Sequence, residues 1–128
     1  MPGHKPFYFD FVVEKISEGD FAMVGPMGRG LRSNLGKMAQ LRADGVRIVV
    51  SSSRAQANDR AYFRQVGIEP SEMKILVLKS TNHYRADFQP IASEIMVVTA
   101  PGAILENLPE IPYRKLRDGV RLGGNGPV

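Results

Sequence analysis

Two short segments hold most of the residues that could do chemistry. Ser51-Ser52-Ser53-Arg54-Ala55-Gln56 follows the apolar run Val46–Val50, and Lys79-Ser80-Thr81-Asn82-His83-Tyr84-Arg85 follows Ile75–Leu78. Both apolar runs read as strands, and both polar segments precede a predicted helix. In an open parallel sheet, ligands bind beyond the carboxyl ends of the strands. A helix start there adds free backbone N–H groups and partial positive charge. Arg54, Lys79 and Arg85, with the Ser80 hydroxyl beside them, therefore form a set suited to an anion or a carboxylate. His83 could shuttle a proton or orient a substrate carbonyl and is the candidate catalytic residue. The plainer reading stands beside this one. Ser52, Ser80, Thr81 and Asn82 are helix-capping types, and Arg and Lys at a rim are solvated.

Other chemistries lack their residues. The chain has no cysteine, which removes disulfides, iron–sulfur clusters, zinc fingers and a thiol nucleophile. It has two histidines, and His4 lies in a leader beside Pro2, Gly3 and Pro6. A catalytic zinc site takes about three protein ligands, so no self-contained metal site is expected. Gly25-Pro26-Met27-Gly28-Arg29-Gly30 invites a phosphate-loop reading but lacks the Gly-Lys-Ser/Thr ending. It reads better as a tight passage between two strands. There is no Gly-x-Ser-x-Gly elbow. The carboxylate pairs Asp10/Glu14 and Glu69/Glu72 read as surface.

Composition sets the class. The chain has 128 residues and 14.1 kDa, the size of one domain. Hydrophobic residues make up 43% and charged residues 23%, which suits a globular core rather than disorder. No apolar run approaches the ~20 residues of a membrane helix, and no secretory leader is visible. The expectation is a soluble, cytoplasmic protein away from membranes. Net charge is +4, and Arg29 to Arg85 holds eleven basic residues against four acidic ones. These bases are spread singly, with no basic stripe interleaved with aromatics. Nucleic acid is therefore not an expected partner.

The elements that must position these residues follow from the pattern. Phe7–Ile16 reads as a strand, Ser17–Asp20 as a turn, and Phe21–Val24 as the returning strand of a hairpin. A short strand from about Gly36 to Arg42 and the strand Val46–Val50 flank the turn Asp44-Gly45. Ala57–Val66 reads as a helix, capped by Asn58 or Asp59 and closed by Gly67. Lys74–Leu78 is a second buried-type strand. Asn82–Ala92 is a helix that Pro90 bends or ends early, and Ile95–Val98 is a third strand before Pro101-Gly102. The expected fold is α/β of a mixed α+β kind: antiparallel hairpins, then a β-α-β-α-β unit with a short mixed sheet, then an extended C-terminal tail. A single domain, with its core about 7–116 and a flexible tail at 117–128, is expected.

At these residues the sequence also resembles a known family. Gly25–Leu31, Leu35-Gly36, Val49–Gln56, Phe63–Pro70, Lys79–Phe88, Ala100-Pro101-Gly102 and Leu108–Leu116 occur in a familiar order. Together they look like the C-terminal domain of the MlrC family, microcystin-degradation proteins that are zinc metallopeptidases. The resemblance covers roughly Phe7 to Leu116, and the Lys-Ser-x-x-His-Tyr-Arg block is its most specific part. It implies a longer protein whose N-terminal domain carries the zinc ligands and the hydrolysis, and it implies that Phe7 begins inside the domain. By that resemblance this chain holds no metal ligand and is inactive alone. It would pack on a catalytic domain, in cis or as a separate chain, and help shape a cleft for a peptide or small-molecule substrate. Arg54 and Gln56 match one characteristic stretch; Lys79, Ser80, His83 and Arg85 match the other. An apolar patch is expected where the partner domain sits, with a tendency to homo-oligomerise in isolation. A free-standing anion-binding module using loops 51–56 and 79–85 is the alternative.

Overall fold

The structure, a computed structural model, describes residues 7–98 and 108–123. His4, the Ala100-Pro101-Gly102 block and the end of the tail at 124–128 lie outside the described residues. The chain divides into two compact units, one spanning Phe7–Ile95 and the other including the described residues from Met96 onward. The class is α+β.

Among the described residues, five strands form two antiparallel sheets. β1 (Val12–Ser17), β4 (Met38–Ala43) and β5 (Val46–Ser51) form one sheet in the order β1-β4-β5, and β2 (Asp20–Ala22) pairs with β3 (Arg32–Asn34). β4 and β5 form a hairpin in which Ala43 faces Val46, and Asp44 takes the left-handed conformation (φ 50°) that its turn needs. β1 pairs with β4 rather than with β2, so the expected first hairpin does not form. Gly19 explains the diversion. It sits at φ +69°, and a Cβ there would lie 2.0 Å from the Gly36 carbonyl oxygen. The chain crosses itself at that point, with the Leu35 N–H donating to the Gly19 carbonyl (2.9 Å). β2 is thereby handed to β3, and β1 to β4.

The core lies on one side of the β1-β4-β5 sheet. Phe21, Leu35, Met38, Ala61, Val66 and Ile68 are buried together, with Val49, Tyr62 and Phe63 packed against them. The Phe21 and Tyr62 rings meet edge-on at 5.2 Å, and Phe63 meets Phe88 at 5.9 Å.

The expected β-α-β-α-β unit does not form. β5 is an antiparallel edge strand. Lys74–Leu78 and Ile95–Val98 have no ladder partner among the described residues. A strand apolar on both faces needs a layer on each side, yet Ile75 and Val77 are 84% and 82% exposed. The helices are also shorter than expected. α1 is Ala61–Arg64 and α2 is Arg85–Phe88, one turn each. Gly67, at φ +81°, ends α1, and the Ile68 N–H reaches back to the Phe63 carbonyl (3.1 Å). α2 tightens into a 3-10 turn at Gln89–Ile91, where Pro90 has no N–H to give. From Met96 onward the described residues carry one 3-10 turn, Leu108–Glu110.

Candidate functional site

Loop 51–56 is pinned at both ends. Ser51 Oγ donates to the Ser53 carbonyl (2.7 Å), and Ser52 donates through its N–H and Oγ to the Lys37 carbonyl (3.0 and 2.9 Å). The Ser53 N–H donates to Leu35 (2.9 Å). Ser52 is thus a tie to the strand entry, not a helix cap. At the other end stands Asp59, which is fully buried. Its Oδ1 accepts the Ala61 N–H (2.8 Å), starting α1 as a cap. Its Oδ2 accepts the N–H groups of Val24 (3.0 Å) and Gly25 (2.8 Å). The Gly25–Gly30 loop, which joins β2 to β3, is fastened to the start of α1 by this one carboxylate.

Loop 79–85 is pinned through α2. Asp87 is buried; its Oδ2 accepts the Arg60 N–H (2.7 Å) and its Oδ1 pairs with the Arg60 guanidinium (3.0 Å). Gly25 lies against both carboxylates. A Cβ there would meet Asp87 Cγ at 2.9 Å and Asp59 Oδ2 at 3.1 Å, so only glycine fits. Buried carboxylates are tolerable when every oxygen is hydrogen-bonded, and here backbone N–H groups and one arginine supply the partners. Both loops are therefore held to one frame by Asp59, Arg60 and Asp87.

The two loops meet. His83 Nδ1 and Gln56 Oε1 are hydrogen-bonded across the gap, which brings together one residue from each predicted segment. With the Gln56 oxygen as acceptor, Nδ1 is the protonated nitrogen, and in the neutral ring Nε2 keeps a free lone pair. Arg54, Lys79, His83 and Arg85 are exposed. None of the three cations pairs with a carboxylate among the described residues. Arg85 lies over the Tyr84 ring at 5.3 Å. Ser80 Oγ is buried and has no hydrogen-bond partner among the described residues, as is Asn58 Oδ1. The helix-start reading does not hold, because one-turn helices carry no useful macrodipole, and neither has a side-chain bond from its own N-cap residue. Any anion would be held by side chains.

Sequence reasoning placed Asp59 as a possible cap but did not expect its burial, and it assigned Asp87 no role. The only signal was Asp59 just ahead of a helix. The Arg60–Asp87 pair, 27 residues apart, had none. The expected surface carboxylates do lie at the surface. Glu14 is held below its ordinary range, first by Arg42. Glu69 is brought down to about 2, first by its hydrogen bond from Arg64.

Zinc does not fit these residues. No group of three or more His, Cys, Asp or Glu could hold a metal ion among the described residues. The buried carboxylates are already occupied by N–H groups and Arg60. No helix among the described residues is long and apolar enough to cross a membrane. An open groove lies within Phe7–Phe11, away from the loops.

Comparison with known proteins gives two findings. The chain matches the family described as MlrC C-terminus over residues 1–115. Among solved structures it is similar to a candidate metallopeptidase from Mesorhizobium sp. BNC1, at 28% identity and a TM-score of 0.59. The match covers 66% of this chain and 17% of that one. No curated protein matches the chain.

Proposed function

The chain belongs to the MlrC C-terminus family, and from that premise we propose that it is the accessory domain of a metal-dependent peptidase or amidohydrolase. In this reading it sits on a metal-bearing catalytic body, with zinc as the expected metal there. Loops 51–56 and 79–85 line that body's substrate cleft. The observation that supports it best is the Gln56–His83 bond, which joins the two loops into one surface. The similarity to a candidate metallopeptidase supports the reaction class. Arg54, Lys79 and Arg85 would bind a substrate carboxylate. His83, its ring oriented by Gln56, would hold a carbonyl or pass a proton at Nε2. In this reading the metal ligands come from that body, since no group of three or more His, Cys, Asp or Glu stands together among the described residues here.

The test is the native gene product. Immunoblotting the source cell should give a band several times larger than 14.1 kDa. In that protein, Arg54→Ala should raise KM about tenfold, with bound metal unchanged, because a lost substrate contact weakens binding before it touches chemistry. A band at 14.1 kDa overturns the in-cis arrangement. An unchanged KM removes the loops from the cleft.

Ser80 favours a second reading, a free-standing module for small carboxylates or phosphate. Its buried, unpartnered Oγ adjoins the exposed Lys79, and a ligand would satisfy it. Millimolar acetate or phosphate should then shift the amide signals of loops 51–56 and 79–85. Signals that stay put count against it.

A further inference from the structure

We infer that the apolar face of the β1-β4-β5 sheet is the seat of the catalytic body, packed against this domain within one polypeptide. The inference rests on the accessory-domain reading and names the surface that the reading needs. The register decides which residues share that face. Val13, Leu41 and Ile48 form one cross-strand row, and Ile16, Ala39 and Val50 form another. Ala43 and Val46 close the hairpin on the same side. No polar side chain interrupts these rows. The alternate residues point the other way: Met38, Gln40 and Val49 toward the core, with Arg42 and Arg47 gripping Glu14.

An antiparallel sheet with one face in water alternates apolar and polar residues. This sheet is apolar on the face over which the described residues place no layer. Val13 is 54% exposed, Ile16 64%, Val50 41% and Ile48 37%. A face of that kind calls for a second layer.

Its size selects the occupant. Three strands about 4.8 Å apart and about six residues long, at about 3.4 Å each, give a footprint of about 300 Å². A stable complex of separate molecules buries about 800 Å² per partner. Two copies of this chain meeting through the sheet alone fall well short. A body tethered in the same polypeptide does not, because its effective concentration is already in the millimolar range. The similar solved chain is matched over only 17% of its length, so most of it is available as such a body. The occupant is a layer of aliphatic side chains on the metal-bearing body.

The experiment places a photo-cross-linking phenylalanine at Ile48, and separately at Val46, in the native gene in its source cell. Arg47, between them but on the opposite face, is the control position. Attached peptides are identified by mass spectrometry. The expected result is attachment from Ile48 and Val46 to the metal-bearing body of the same polypeptide, several-fold above Arg47. Val46 lies at the hairpin end and is 61% exposed, so that position folds even where Ile48 does not tolerate the probe. Attachment to a second copy, no adduct from either position in a folded protein, or equal adducts at Arg47 each overturn the inference. A probe at His83 separates the two levels. If His83 attaches to the body and Ile48 does not, only this inference fails. If the gene product carries no such body and the His83 probe captures no separate metal-bearing chain, the accessory-domain reading fails with it.

Discussion

Asp59 accepts three backbone N–H groups, those of Val24, Gly25 and Ala61. Asp59→Ala should therefore cost about 3 kcal/mol, since each buried unpaired donor costs about 1–3 kcal/mol. Urea unfolding should show a lower midpoint at unchanged slope; an unchanged midpoint would mean that water replaces the carboxylate. Gly25→Ala drives a methyl into both carboxylates and should cost about 1–3 kcal/mol by overpacking, read as a lower Tm. Acid stability has a definite sign. Glu69 titrates at about 2 when folded against 4.5 ordinarily. Its contribution is full above pH 4.5 and is lost as pH falls toward 2. Glu69→Gln should flatten that part of the acid-unfolding curve, and an identical curve would show that Arg64 does not hold it. At this scale the candidate residues were legible, though not their roles. Arg54, Gln56, Lys79, Ser80, His83 and Arg85 could be named because polar residues after apolar runs stand out. Asp59 and Asp87 could not, because burial of a carboxylate depends on partners 27 to 35 residues away.

At the scale of elements, local turn chemistry was readable and pairing was not. Asp44-Gly45 announces the β4–β5 hairpin, and Gly67 announces the end of α1. Both signals are contained in a few residues. The choice of partner for β1 is made by the crossing of Gly19 and Gly36, seventeen positions apart. Gly19→Ala meets the Gly36 oxygen at 2.0 Å and also strains a positive φ. It should destabilise by more than about 2 kcal/mol. The chemical-shift pattern of β2–β3 should be lost first, and a retained pattern would place the crossing elsewhere. α1 is shorter than expected because its end tightens into i→i−3 bonds, Val66 N–H to the Phe63 carbonyl and Gly67 N–H to the Arg64 carbonyl, before Gly67 turns the chain away.

At the scale of the molecule, the exposed apolar residues stand out. A domain of this size has enough core to fold, yet it leaves Val13, Ile16, Ile48, Val50, Ile75 and Val77 in water. The isolated chain should bind a hydrophobic dye strongly, and Ile48→Lys should reduce the signal without lowering Tm. A dark wild-type chain would show the face already covered. Chelator should leave its thermal unfolding unchanged, and a fall in Tm would reveal a metal site that this chain does hold.

By itself the sequence determined the α+β class, the two polar loops and the family. Each of these depends on composition, local pattern or the order of short motifs. Only the tertiary structure decided that β1 pairs with β4 and β2 with β3, that two buried aspartates frame the loops, that Gln56 meets His83, and that the described residues leave one sheet face without a layer. These are long-range facts. A run such as Val46–Val50, apolar but for Arg47, reports a strand that avoids water but not which layer covers each face, and here the layer over Val46, Ile48 and Val50 is not supplied by the described residues.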